Sequence, residues 1–274
     1  MKEYSSSKNN ILSAINVRFE VLWIYLQYMV RGSLIKASVE SKLIEPPILI
    51  GGCGRSGTTL LLSILSASSD VFAIPVETGI FCKTDPRFLY INWRYNLSFF
   101  YGRYFNNIPD TASRWCEKTP MNVLFFDDIM EKFEDQVRLI HIIRDGRDVV
   151  LSRHPTDKER YWVEPERWVS DVKRGLEYRE HKNVYTIKYE DLILDFEQAA
   201  GALADFLQIS DVETLMRWHD NTTVKENRAW SGEVQPLFSD SVAKWKAPKY
   251  ENRVADFMKN REAVELLREL GYQT

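Results

Sequence analysis

The sequence predicts an α/β fold with a central, mostly parallel sheet flanked by helices, and three stretches carry that prediction. In ILIGGCGRSGTTLLLSIL, Ile48 to Leu65, an apolar run, a glycine-rich turn and a second apolar run succeed one another as strand, loop and helix. QVRLIHIIRD (Gln136 to Asp145) and NVYTIKYED (Asn183 to Asp191) have the β-branched and aromatic density of buried strands, each followed by an amphipathic helical pattern. Strands that alternate with helices need crossover connections, which pair the strands parallel and cover both faces of the sheet.

The chain begins with the polar stretch MKEYSSSKNN, which lacks the basic-then-apolar order of a secretory signal. VLWIYLQYMV, Val21 to Val30, is ten residues long, whereas a helix needs about 20 to cross a bilayer core. No transmembrane segment is expected. Flanked by Arg18, Glu20 and Arg31, the run predicts an amphipathic helix packed against the domain or a partner subunit rather than laid on a membrane. Residues 1–45 therefore read as this helix and a connector, and Glu45-Pro46-Pro47 opens a single domain over 46–274. Phe88 to Phe105 is too aromatic for a solvated linker; it predicts a helical insertion that covers the sheet, with an acceptor-pocket lining as the second reading.

With 274 residues, 45% of them apolar, the chain suffices for one large core, and its formal charge of −3 offers no excess of cations for a nucleic acid. The three cysteines, Cys53, Cys82 and Cys116, are odd in number and have no metal-ligand spacing. Neither disulfides nor a metal site is expected, and a reducing, cytoplasmic location fits.

Gly51, Gly52, Gly54 and Gly57 let the loop aim its N–H groups at one point, where a helix N-terminus adds partial positive charge. The spacing is almost that of a Walker A loop, but Thr58 stands where the lysine belongs. Arg55 supplies instead a planar guanidinium able to hold two oxygens of a phosphate or sulfate. In HIIRDGRDVVLSRH, Arg144 ends a buried strand and Ser152 follows eight residues later, about two turns into the next helix, so that both can face one phosphate.

Together these two segments resemble the sulfotransferase family, whose donor is 3′-phosphoadenosine 5′-phosphosulfate. GCGRSGTT resembles its loop for the 5′-phosphosulfate, which implies contacts from Arg55, Ser56, Gly57, Thr58 and Thr59. The arginine and serine of IIRDGRDVVLS resemble its 3′-phosphate site, which implies Arg144 and Ser152. The resemblance runs from about Pro47 to about Trp245 and implies a P-loop-like sandwich. YED at Tyr189 to Asp191 resembles the strand end whose tyrosine lies near the nucleotide, and WSGEVQPLFSDSVAKW the segment that closes over the donor, with Ser231 and Lys244 as contacts. Where relatives have a further arginine this chain has Thr156; Arg153, Lys158 and Arg160 remain as substitutes.

The family resemblance implies sulfuryl transfer to an acceptor hydroxyl by in-line displacement, releasing adenosine 3′,5′-bisphosphate. Arg55 and Lys118 are the candidate cations for the leaving oxygen, Lys118 because WCEKTPMN resembles an EKTP element of several branches of the family. Glu77 in IPVETGIF resembles the glutamate base of the tyrosylprotein and carbohydrate branches, which implies a base whose carboxylate is desolvated when substrate binds. His154 is the alternative base; His141 reads as a satisfied core histidine. A P-loop kinase and a non-catalytic nucleotide-binding module are the competing readings. Sugar, phenol, lipid-like alcohol and peptide tyrosine all remain open as acceptors, and NREAVELLREL (Asn260 to Leu270) leaves open a helix packed within the chain or in a homo-oligomer.

Overall fold

Five parallel strands form one sheet in the order β2-β3-β1-β4-β5 in the computed structural model, which describes residues 22–82, 93–154, 157, 159–224, 226–227, 232–233 and 239–274. The strands are β1 (Ile48–Gly52), β2 (Val71–Ala73), β3 (Arg114–Lys118), β4 (Arg138–Ile143) and β5 (Val184–Lys188). The fold is the α/β arrangement that the alternation of strand and helix predicts. β1 lies at the centre, and successive side chains feed opposite cores because strand side chains alternate. Ile48 and Ile50 join Ile140 and Ile142 in one core, and Leu49 and Leu139 face the other.

The helices run in chain order from α1, helical over 22–40, through α2 (Thr58–Leu65), α3 (Trp93–Tyr104), α4 (Phe126–Lys132), α5 (Gly146–Val149) and α6 (Pro165–Leu176). They continue as α7 (Tyr189–Leu194), α8 (Phe196–Leu207), α9 (Val212–Met216), α10 (Trp218–Asn221), α11 (Glu251–Met258) and α12 (Arg261–Glu269). Leu61, Leu62, Leu203 and Leu207 of α2 and α8 fill the first core, and Leu97, Tyr101, Phe126 and Ile129 of α3 and α4 fill the second. A third core joins Trp168 and Val172 of α6 to Phe257, Leu266 and Leu267. The NREAVELLREL helix thus packs within the chain, with Asn260 capping it by accepting from the Ala263 N–H at 3.0 Å.

In the described part of the aromatic stretch, α3 covers the sheet with Phe100 and Tyr101, while Phe105 is exposed. Phe88 and Tyr90, and the side chains of Trp93 and Tyr95, lie outside the described residues. The expected N-terminal helix rests on α3. Tyr25 stacks on Phe99 at 4.6 Å and donates to Asn96 at 2.5 Å. The helices cross backbone to backbone, since a Cβ on Gly32 would fall 1.6 Å from the Ser98 carbonyl oxygen and one on Gly102 2.0 Å from that of Tyr28. The other side of α1 exposes Trp23, Val30 and Leu34. Among the described residues no helix is long and apolar enough to cross a membrane.

Candidate active site

Every strand of the sheet delivers a candidate residue at or just beyond its C-terminal end, the edge where open α/β sheets leave a crevice for ligands. Arg55 and Ser56 follow β1, Glu77 follows β2, Lys118 ends β3, Arg144 follows β4, and Tyr189 follows β5.

The loop after β1 turns through two left-handed residues, Arg55 at φ 73° and Gly57 at φ 97°. Gly57 also meets the Tyr189 ring so closely that a Cβ there would fall 2.3 Å from it. Arg55 Nε, the fully buried Ser56 Oγ and Arg144 Nε are all without a hydrogen-bond partner. Burial, and then the nearby charge of Arg144, loosens the Arg55 guanidinium's hold on its proton, and Glu77 offsets part of this. Buried donors without acceptors and two neighbouring cations are costly together, and an anion relieves both. Thr58 and Thr59 are buried at the start of α2 beside this loop.

Arg144 is held on three sides. It donates to the Arg55 carbonyl at 3.2 Å and to the Ser241 carbonyl at 2.5 Å, and lies 4.2 Å above the Tyr189 ring. Tyr189 in turn donates to Ser241 Oγ at 2.7 Å. The segment from Ser241 to Trp245 is strapped down by Asp148, which accepts from the Ala243 N–H at 2.8 Å and the Trp245 N–H at 2.9 Å. Burial raises the proton affinity of Asp148, and the Arg144 charge opposes that. Arg147 stacks 3.7 Å from the Trp245 ring and pairs with Asp145 at 2.7 Å. Glu190 ties this region to the end of the chain: it accepts from the Asp145 N–H and from the Tyr272 hydroxyl, each at 2.9 Å. Lys188 adds a bond to the Leu270 carbonyl at 2.7 Å.

Ser152 departs from the expectation. The helix after β4 is a single turn, Gly146–Val149, started by Asp145 accepting from the Arg147 N–H at 2.9 Å, so Ser152 lies beyond it rather than two turns inside. Arg153 leaves to bridge with Tyr161, and His154 precedes a proline, a position that disfavours helix. Arg153 donates to the Glu159 carbonyl at 3.0 Å and Arg160 is exposed; Thr156 and Lys158 lie outside the described residues.

On the other side of the loop, the Lys118 ammonium donates to Glu77 Oε1 at 2.7 Å. Lys118 is buried, whereas Glu77 is 43% exposed at the mouth of the crevice. Ser231 lies outside the described residues. Lys244 is exposed, and the residues of its segment that reach Arg144, Arg147 and Asp148 are Ser241, Ala243 and Trp245. His154 packs edge-on against Trp162 at 4.4 Å. His141 is a core residue but not a satisfied one: both ring nitrogens lack partners, and burial lowers its pKa to about 3. The three cysteines are buried and form no disulfide, and among the described residues no cluster of His, Cys, Asp or Glu suits a metal.

A sulfotransferase-domain family model matches residues 45–231, more than half of the chain. The chain belongs to the sulfotransferase family. This sulfotransferase is 27% identical over 266 residues to Protein-tyrosine sulfotransferase A of Caenorhabditis elegans, covering 83% of this chain and 67% of that protein. Its fold is that of the sulfotransferase domain from the curacin biosynthetic pathway, with a TM-score of 0.54 at 17% identity over 84% of this chain and 98% of that one. The sulfotransferase domain of the Synechococcus PCC 7002 olefin synthase gives a TM-score of 0.56 at 16% identity over 84% and 96%. Sequence reasoning did not single out Asp148, Ser241 and Trp245, although all three stand inside the two quoted segments, nor Glu117, next to Lys118.

Proposed function

We propose that this sulfotransferase takes its sulfuryl group from 3′-phosphoadenosine 5′-phosphosulfate and passes it to a hydroxyl, with the phenol of a peptide tyrosine as the acceptor to test first. The reading is carried by the unpartnered donors of Arg55, Ser56 and Arg144, grouped at the C-terminal edge of the sheet next to the Lys118–Glu77 pair. Arg55, Ser56 and the start of α2 fit a 5′-phosphosulfate, and Arg144, beside the Tyr189 ring, fits a second phosphate. The tyrosine acceptor rests on the 27% identity to a protein-tyrosine sulfotransferase.

The donor supplies an activated sulfuryl group to an in-line displacement at sulfur. Glu77 takes the proton of the acceptor hydroxyl. Lys118 and Arg55 offset the negative charge that gathers on the departing phosphate oxygen, and no lysine in the loop is needed because the charge develops on the Arg55 and Lys118 side. A kinase reading is disfavoured by Thr58 at the Walker lysine position.

Calorimetric titration with adenosine 3′,5′-bisphosphate tests the donor, with ATP and 5′-AMP as controls. The bisphosphate is expected to bind at least ~10-fold more tightly than either control, the yield of one charge-assisted contact. Equal or tighter binding of ATP overturns the proposal. Transfer of labelled sulfate to a tyrosine peptide, against a simple phenol and a monosaccharide, then tests the acceptor.

A further inference from the structure

Glu117 is completely buried, with the charge of Lys118 nearby. Oε2 accepts from the Thr78 hydroxyl at 2.8 Å and the Thr119 hydroxyl at 3.1 Å, and Oε1 accepts from Asn122 Nδ2. Asn122 Nδ2 also donates to the Ile50 carbonyl at 3.1 Å, next to the glycine loop, and Thr119 Oγ1 accepts from the Gly79 N–H at 3.0 Å. Thr78 directly follows Glu77, and Thr119 directly follows Lys118. One carboxylate therefore ties the loop after β2 to the end of β3 and, through Asn122, to the middle of β1.

We infer that Glu117 is a positioning residue that fixes Glu77 against Lys118 for sulfuryl transfer, an inference that rests on the roles proposed for that pair. Glu77 stands on a loop and is itself half-exposed, so its own surroundings do little to hold it. The restraint comes from Thr78 and Gly79, both anchored through Glu117 and Thr119. Burying a carboxylate is expensive, and burial raises the proton affinity of Glu117 while the bonds from Asn122, Thr78 and Thr119 oppose this. An apolar residue would fill the space at lower cost, but it would leave the two hydroxyls and the amide without their common acceptor.

The test compares Glu117→Ala, Glu117→Gln, Thr78→Val, Glu77→Gln and the Glu77→Gln/Glu117→Ala double variant in the full chain. It reads tyrosine-peptide sulfation, bisphosphate affinity and crystal structures. Glu117→Ala and Thr78→Val are expected to lower kcat by ~10- to 100-fold with bisphosphate affinity within ~2-fold, because orientation rather than donor binding is lost. Glutamine keeps one acceptor and the shape, so Glu117→Gln should recover to within ~5-fold of wild type. In the Glu77→Gln background, Glu117→Ala should cost less than ~3-fold more, since the group it positions is already gone. In the crystal structures of Glu117→Ala and Thr78→Val the Lys118–Glu77 contact should open beyond about 4 Å. An unchanged contact, or an equal loss of kcat in both backgrounds, overturns the inference. Should Glu117→Ala fail to fold, an intact contact and undiminished kcat in Thr78→Val overturn it. Full turnover in Glu77→Gln would remove the role of the pair and this inference with it. Loss of turnover in Glu77→Gln alone, with the Glu117 and Thr78 variants at wild-type rate, would remove only the inference.

Discussion

The Lys118 ammonium meets Glu77 at 2.7 Å, and the pair joins a side chain that is 2% exposed to one that is 43% exposed. The buried partner has a fixed place at the end of β3 and the exposed one faces the crevice, which suits a cation held for the donor and a carboxylate held for the acceptor. Glu77→Gln keeps the shape and removes the proposed base. Turnover should fall by ~10²- to 10⁴-fold with bisphosphate affinity nearly unchanged, as measured by sulfate transfer and calorimetry. A variant with normal turnover would return the pair to a merely structural role.

Arg144 binds the loop carbonyl of Arg55, the strap carbonyl of Ser241 and the face of Tyr189, while its Nε is left over. Arg144→Ala should weaken the bisphosphate by about 1.5–3 kcal/mol and leave 5′-AMP nearly unaffected, because only the bisphosphate carries the second phosphate. Equal weakening of both nucleotides in the calorimeter would mean that Arg144 serves the strap alone.

Asp148 accepts two backbone N–H groups of the strap, and alanine would leave both without an acceptor. Asp148→Ala should free the amides of Ala243 and Trp245, seen as faster hydrogen exchange there than in β1 or β4, with a global loss of ~1–3 kcal/mol. Exchange that rises evenly across the sheet would assign Asp148 to general stability instead.

His141 carries a pH dependence whose sign is fixed by its burial. Its pKa is lowered from 6.5 to about 3, so between these values the unfolded chain binds a proton that the folded chain refuses. This part of the stability is full above pH 6.5 and declines as the pH falls toward 3, by up to about 1.4 kcal/mol per pH unit. Denaturant titrations of His141→Leu at several pH values should show a flatter decline than wild type over that window. An unchanged slope would mean that other groups dominate acid unfolding.

The loop and the two arginines were legible because each motif is a short run in which strand, turn and charge are neighbours in sequence. Three of the five strands, β1, β4 and β5, were legible for the same reason, from β-branched and aromatic runs that alternate with helical patterns; the short β2 and the polar-ended β3 were not named. What joins the motifs was not. Glu117 reaches Thr78 across 39 positions and Asp148 reaches Ala243 across 95, and nothing in a single sequence marks such partners. Ser152 was misplaced because the VVLS run is apolar enough to continue a helix, whereas the bridge of Arg153 to Tyr161 pulls the chain away after one turn. Glu77 and Lys118 were named because their short segments resemble those of sulfotransferase branches, but only three dimensions brought them into contact.

Tyr272 and Leu270 grip Glu190 and Lys188, and Glu190 grips the peptide that follows Arg144. A growing chain emerges from the ribosome N-terminus first, so the glycine loop and Arg144 are out long before the residues that brace them. Nucleotide affinity should therefore switch on late in synthesis. A nascent chain stalled short of Leu270 would carry every loop residue and still hold the bisphosphate poorly.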